Sequence, residues 1–224
     1  MAHYTGPDNT RLLDGRMVSY FLYVLDTFTD PCRLGVLGGT ALTLLKVREE
    51  GSYDIDLLPL DRNCRITDAV QQVRVKIIEG KIDIPIPTGY VRFPRNAIIQ
   101  TWGLPYEADG EIKTPKDFAK RFQPLKRLQW VDRKTGMTVE MSAQDLLTNL
   151  SIFTPSIPDI FCIKIFRTRE RDREDIAALL LKRPAQFKNG NAAVYERLIE
   201  YLNINKNERN GAALCERALL LYIH

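Results

Sequence analysis

Histidine is almost missing from this chain of 224 residues: there are two, His3 and His224, at its extremities. A serine or cysteine nucleophile served by an imidazole base is therefore not expected, because chain ends rarely hold catalytic geometry. Cysteine is sparse as well. Cys32, Cys64, Cys162 and Cys215 stand far apart, so neither a C-x-x-C pair nor a Cys/His zinc pattern can be assembled. The longest apolar runs, residues 176–181 and 218–223, are far shorter than the roughly 20 residues of a membrane-spanning helix, and no membrane association is expected. The first eight residues have neither a basic start nor an apolar stretch, so no secretory leader is expected and the cytoplasm is the expected compartment. Repeats and low-complexity tracts are absent too.

What remains suits a globular protein that works with carboxylates, cations and backbone amides. Of the residues, 45% are apolar and 27% charged, and the formal net charge of +4 is too small to argue for nucleic acid by itself. Its distribution says more. Residues 113–134 hold eight basic side chains (Lys113, Lys116, Lys120, Arg121, Lys126, Arg127, Arg133, Lys134) against Asp117 and Asp132, a net +6.

Apolar residues at helical spacing from Leu12 to Phe28 predict an opening amphipathic helix, ended by Asp30-Pro31. Arg33 to Leu37 reads as a short buried strand, Gly38-Gly39 as a sharp turn, and Thr40 to Lys46 as a helix. Asp54-Ile55-Asp56-Leu57-Leu58 alternates as a strand with both aspartates on one face. A second helix is marked by Ile66, Ala69, Val70, Val73 and Ile77, and the proline-rich stretch 83–106 reads as short edge strands and loops. Thr114-Pro115, with Asp117 following, predicts a capped helix start. Leu128 to Asp132 and Met137 to Met141 predict a hairpin, and beyond Ser142 the pattern reads as helical to the end, with breaks around 155–158, 188–191 and 203–211.

The order of strand, Gly-Gly, helix and D-x-D strand has a coherent chemistry. Glycines at a helix start let backbone N–H groups approach a phosphate. Two carboxylates about 7 Å apart on one strand face suit the sharing of Mg²⁺ with triphosphate oxygens. Each half alone is commonplace, the glycines as a turn and the aspartates as a solvated edge. Together, Leu37-Gly38-Gly39-Thr40-Ala41-Leu42 and Asp54-Ile55-Asp56 resemble the DNA polymerase beta-like nucleotidyltransferase superfamily. With Arg48 and Ser52 ahead of Asp54, the likeness is to small nucleotidyltransferases that include toxins of abortive-infection toxin-antitoxin systems.

That resemblance implies an α/β (α+β) fold: a small mixed sheet with flanking helices and a helical C-terminal region, divided as residues 1–142 and 143–224. It implies metal-dependent transfer of a nucleotide from an NTP to an acceptor hydroxyl on tRNA or protein, and an antitoxin protein as a further partner. Gly38, Gly39 and Thr40 would hold phosphates, and Asp54 and Asp56 would bind Mg²⁺ or Mn²⁺. A later run resembles the same group: Lys164, Arg167, Arg171 and Asp175, spaced 3, 4 and 4 apart, would share one helix face and point cations at phosphates. A solvated face laced with salt bridges is the competing account of that run.

The third carboxylate of the family matches Glu140, which would assist the acceptor hydroxyl. Aspartate is commoner there, which leaves a displaced metal, one metal only, or nucleotide binding without transfer. A solvent-facing strand residue is equally compatible, and Asp132 is the fallback, although its place predicts a turn role. Phe118, Phe122 and Trp130 interleave with the basic segment, so RNA binding through residues 113–134 competes with a core role for the rings. A non-catalytic interaction protein of the same fold, and a small-molecule modifier with an acidic acceptor pocket, are the rival readings.

Overall fold

The computed structural model describes residues 12–87, 89–108, 112–167, 169–187 and 192–205. The expected helical continuation beyond Asn205, both histidines, Cys215 and the residues of the N-terminal reading lie outside these. The chain forms two compact units: Met1–Trp102 with Pro124–Thr154, and Gly103–Gln123 with Pro155–His224.

In the first unit, α1 (Gly15–Asp26) starts where Asp14 caps it, its carboxylate accepting from the N–H of Arg16 and Met17 at 2.9 and 3.0 Å. Met17, Val18, Phe21, Leu22 and Leu25 form its buried stripe. Then follow β1 (Cys32–Val36), α2 (Gly38–Leu44), β2 (Asp54–Pro59), α3 (Ile66–Ile78), β3 (Asp83–Ile86), β4 (Gly89–Arg92) and β5 (Ile98–Thr101). The second unit contributes β6 (Glu107–Ala108) and β7 (Ile112–Lys113). After β8 (Gln123–Pro124) come β9 (Arg127–Val131), β10 (Thr138–Ser142), α4 (Ala143–Leu146) and β11 (Leu150–Thr154).

The main sheet is mixed, in the order β5-β2-β1-β11-β8. β1 runs antiparallel to β2 and parallel to β11, while β5 lies parallel to β2 at the edge. Leu34, Val36, Ile55, Leu57 and Ile152 join α1 and the buried face of α3 in one core. The buried residues of α3 are the five that its sequence spacing singled out.

β11 departs from the sequence reading, which continued helically past Ser142. Leu150, Ile152 and Thr154 are buried with Ser151 and Phe153 between them, a period of two over five residues. Such a pattern is drowned by the leucines upstream at 146 and 147, and tertiary pairing with β1 decides it. Its entry is fixed by Asp26, the last residue of α1, whose nearly buried carboxylate accepts from the N–H of Thr148, Asn149 and Leu150 at 2.9, 2.8 and 2.6 Å.

The second unit holds α5 (Ile157–Phe166), α6 (Glu170–Lys182) and α7 (Ala192–Asn205), the helical C-terminal region. Among the described residues no helix is long and apolar enough to cross a membrane. The helix expected after Thr114 is instead a single 3₁₀ turn, Phe118–Arg121. Thr114 does not cap it, because its hydroxyl donates to the Tyr106 carbonyl at 2.5 Å.

Asp26→Ala removes the acceptor of three N–H donors, one buried and two part-buried, and each charged hydrogen bond of this kind contributes about 1.5–3 kcal/mol. The variant is expected to lose roughly 3–5 kcal/mol in urea unfolding, read as a lower midpoint at unchanged slope.

Candidate nucleotide and metal site

The turn after β1 is pinned to β2, since the N–H of Leu37 donates to the Asp56 carbonyl at 3.0 Å. Gly38 follows in the left-handed region at φ +56°, and a Cβ built there would meet Asp56 Oδ2 at 2.6 Å. A side chain is excluded on both counts, backbone conformation and space. At Gly39 a Cβ would collide with the Arg48 guanidinium and stand 2.7 Å from Ser52 Oγ. The glycine pair is thus what allows the start of α2 to lie against the D-x-D strand.

Asp54 and Asp56 are half-buried on one face of β2, with Ile55 buried between them. Each has one oxygen held by a neutral donor: Ser52 Oγ donates to Asp54 Oδ1 at 3.1 Å, and Trp102 Nε1 donates to Asp56 Oδ1 at 3.0 Å. Thr40 is fully buried, and its hydroxyl donates to the Asp54 carbonyl at 2.7 Å while accepting from the Asp56 N–H at 3.3 Å. Its hydroxyl therefore fastens α2 to β2. Trp102 was not singled out in the sequence; a tryptophan just after a short edge strand carries no spacing signal.

Glu140 is not gathered with the aspartates. It lies on β10, which among the described residues pairs with β9 alone, and its carboxylate meets Lys46 Nζ at 2.7 Å and Arg127 at 3.9 Å. The Lys46 hydrogen bond draws the Glu140 carboxyl below its ordinary range. Lys46 follows the end of α2 with φ +57°, so Glu140 stands by the opposite end of the helix that Gly38 begins. On β5 the residues in register with Asp54 and Asp56 are Ile98 and Gln100, neither of them an acid. Among the described residues no group of three or more acids, cysteines or histidines is placed to hold a metal. Asp132, the fallback acid, accepts from the N–H of Lys134 and Thr135 at 2.7 and 2.9 Å, the turn role its position predicted.

A groove of about 890 Å³ in the same unit is lined by Lys126, Arg127, Ser142, Gln144, Asp145 and Thr148 among others. Neither the glycine pair nor the aspartates line it, so its size does not coincide with the chemistry. Comparison with protein-family models, curated proteins and solved structures finds no match. The geometry of the site therefore carries its interpretation.

The cations assigned to one helix face are on two helices. α5 ends at Phe166, Arg167 and Arg169 are extended, and Arg171 and Asp175 belong to α6. Lys164 is 4% exposed and its ammonium lies 2.5 Å from Asp172 and 2.8 Å from Asp175, with Arg167 Nε 3.4 Å from Asp172. A buried lysine flanked by two aspartates joins the two helices, which is why the chain breaks between them instead of continuing as one. These residues belong to the second unit, the glycine pair and D-x-D to the first.

The basic segment also divides, residues 113–123 falling in the second unit and 124–134 in the first. Two of its aromatics are inside, as the core account of them required: Phe118 and Phe122 are buried edge to face at 5.1 Å, while Trp130 is half-buried and packs on Tyr23 at 5.1 Å and Tyr20 at 5.7 Å. Arg121 is a structural cation. Its guanidinium contacts Asp117, Glu200 at 2.7 Å and Asp159 at 3.4 Å, and Asp159 is fully buried with Tyr201 donating to it.

Burial pushes the Asp159 carboxyl above its ordinary range, against the pull of Ser156 and Arg121, while Arg121 draws Glu200 below its own. Glu200 thus adds stability above the ordinary glutamate value of about 4.3, lost as pH falls. The Asp159 burial cost runs the other way, present above its raised value and absent once it is protonated. Arg121→Met removes the cation from both, so it is expected to cost about 3–5 kcal/mol at neutral pH and clearly less at acid pH. Urea titrations of both proteins across that range check it; a gap independent of pH would contradict the assignment.

Proposed function

We propose that the first unit binds a nucleoside triphosphate together with Mg²⁺ or Mn²⁺ and transfers its nucleotidyl group to an acceptor hydroxyl. The observation that carries this reading is the approach of Gly38, at φ +56°, to the Asp56 carboxylate. It supports a phosphate cradle and an acid pair built side by side. Mg²⁺ keeps several waters and is commonly held by one or two carboxylates plus substrate phosphates, and Asp54 and Asp56 fit that donor set. Bound there, the ion would neutralise charge on the triphosphate. Gly38 and Gly39 let the backbone at the start of α2 lie close against Asp56, Arg48 and Ser52, Ser52 and Trp102 orient the two acids, and Thr40 fixes their spacing from the turn. The acceptor hydroxyl would attack the α-phosphorus and pyrophosphate would leave. The resemblance to small nucleotidyltransferases of toxin-antitoxin systems supports a tRNA or protein acceptor and a neutralising antitoxin protein. Of the basic segment 113–134, Lys126 and Lys134 are exposed in the unit that carries the aspartates and are the contacts an RNA acceptor would use there.

Nucleotide binding without turnover is favoured by two observations: Gln100, not an acid, is in register with Asp56, and Glu140 is engaged with Lys46.

Calorimetry with each NTP separates the readings. Mg²⁺-dependent binding is expected, and Asp56→Asn should weaken it by about tenfold or more, equivalent to roughly 1.4 kcal/mol. Gly38→Ala should weaken it too, by forcing Asp56 aside. Equal affinity in EDTA would overturn the metal assignment. Release of pyrophosphate on adding total RNA or protein supports transfer, and binding without release supports the second reading. If transfer occurs, Glu140→Gln should leave its rate nearly unchanged; a loss of roughly 10²- to 10⁴-fold would restore Glu140 as the base.

A further inference from the structure

The groove of about 890 Å³ is lined entirely by residues of the first unit, and the nucleotide site uses none of them. Three stretches build it: the chain entering β9, the end of β10 with α4, and β11. Backbone bonds hold them together, the Leu125 N–H donating to the Ile152 carbonyl at 2.8 Å and the Ala143 N–H to the Lys126 carbonyl at 2.9 Å. On β11, Leu150, Ile152 and Thr154 are buried, so Ser151 and Phe153 stand on the opposite face of the strand. Arg33 is in register with Ser151, and its guanidinium lies 4.7 Å above the Phe153 ring. Asp54 and Asp56 belong to the same face of the sheet, because Ile55 and Leu57 join Ile152 in the core on the other.

The lining is a set of donors around two cations. Lys126 is exposed and its ammonium has no acid partner among the described residues, and Arg127, also exposed, has Glu140 only at 3.9 Å. Ser142, Thr148 and Ser151 contribute hydroxyls and Gln144 an amide. Cations beside hydroxyl and amide donors suit a ligand rich in anionic oxygens. Asp145, exposed in the same groove, can only accept when ionised. It repels a compact phosphate ion and suits a chain that spaces its phosphates apart and carries hydroxyl donors between them. The half-buried Phe153 ring, with Arg33 beside it, offers a surface on which a base can stack.

Single-stranded RNA combines phosphates, ribose hydroxyls and unstacked bases in one chain. DNA lacks the ribose hydroxyl that Asp145 can accept from, and an acidic peptide lacks both that hydroxyl and the flat bases. We propose that this groove binds a short single-stranded segment of RNA. Its phosphates lie against Lys126, Arg127 and the groove hydroxyls, a base stacks on Phe153, and a ribose hydroxyl donates to Asp145. The assignment deepens the reading of the first unit as a transferase with an RNA acceptor, and rests on it for the purpose of binding. It gives the acceptor strand a place on the sheet face that carries the acid pair.

The test is fluorescence anisotropy of the full chain with fluorescein-labelled octaadenylate RNA, without NTP or divalent metal. Affinity is expected to fall with salt at a log-log slope of about 1.4 or steeper, about 0.7 for each phosphate contact of Lys126 and Arg127. Replacing both by alanine should flatten the slope by about 1.4 and weaken binding roughly tenfold or more at low salt. Lys116→Ala with Lys120→Ala, the same charge taken from exposed positions of the second unit, should leave both nearly unchanged. Phe153→Leu should weaken binding roughly fivefold or more through lost stacking. Asp145→Asn should narrow the preference for RNA over the DNA octamer of the same sequence. Absence of salt-dependent binding, equal losses in the two double variants, equal affinity for the DNA octamer, or displacement by polyglutamate as effective as by unlabelled RNA would overturn the proposal. Because the titration contains no NTP, its failure leaves calorimetric NTP binding as a separate result, and loss of that reading leaves the groove measurement intact.

Discussion

Three backbone N–H groups converge on the carboxylate of Asp26, and the architecture of the first unit follows from that convergence. The last residue of α1 is tied by it to the point where the chain enters β11. β11 then pairs in parallel with β1, and β1 delivers the chain to Leu37 and Gly38. The antiparallel partner of β1 on its other side is β2, the strand of Asp54 and Asp56. A helix end, a parallel pair and a D-x-D strand thus share one register. A carboxylate is the side chain suited to this junction, because it accepts several N–H bonds at once where N–H groups would otherwise be buried without partners.

The parts of this arrangement that are local in sequence were legible there. The stripe of α1, the five buried residues of α3, and the succession of β1, Gly-Gly, α2 and β2 depend on residues within a few positions of one another. β11 was not legible, because five residues of alternating burial beside a leucine-rich turn read as a continuing helix until β1 is placed next to them. Likewise the charged run from Lys164 to Asp175 has good helical spacing throughout. Its break at Arg167–Arg169 comes from ion pairs that only form once two helices face each other.

Charge was the least transferable signal. Lys164 and Arg121 both looked like cations awaiting phosphate, yet each is covered by protein and surrounded by carboxylates. Burial makes a cation of this kind part of the frame, since its removal leaves acids without compensation. Glu140 has the converse history: placed by analogy beside the metal, it sits at the far end of α2 on Lys46. Net charge over a segment records none of this, and the division of residues 113–134 between two units shows why a run of like charge need not be one surface.

The hydroxyl of Thr40 bridges the Asp54 carbonyl and the Asp56 amide. Since Leu37, just before the glycines, is bonded to the Asp56 carbonyl, the turn and the acid strand are stitched on both sides. The acids and the glycines therefore move as one body, with their separation set when the chain folds and not when something binds. A ligand entering between them has little backbone to immobilise, so most of the entropy of ordering that a looser loop would forfeit on each encounter has already been lost during folding.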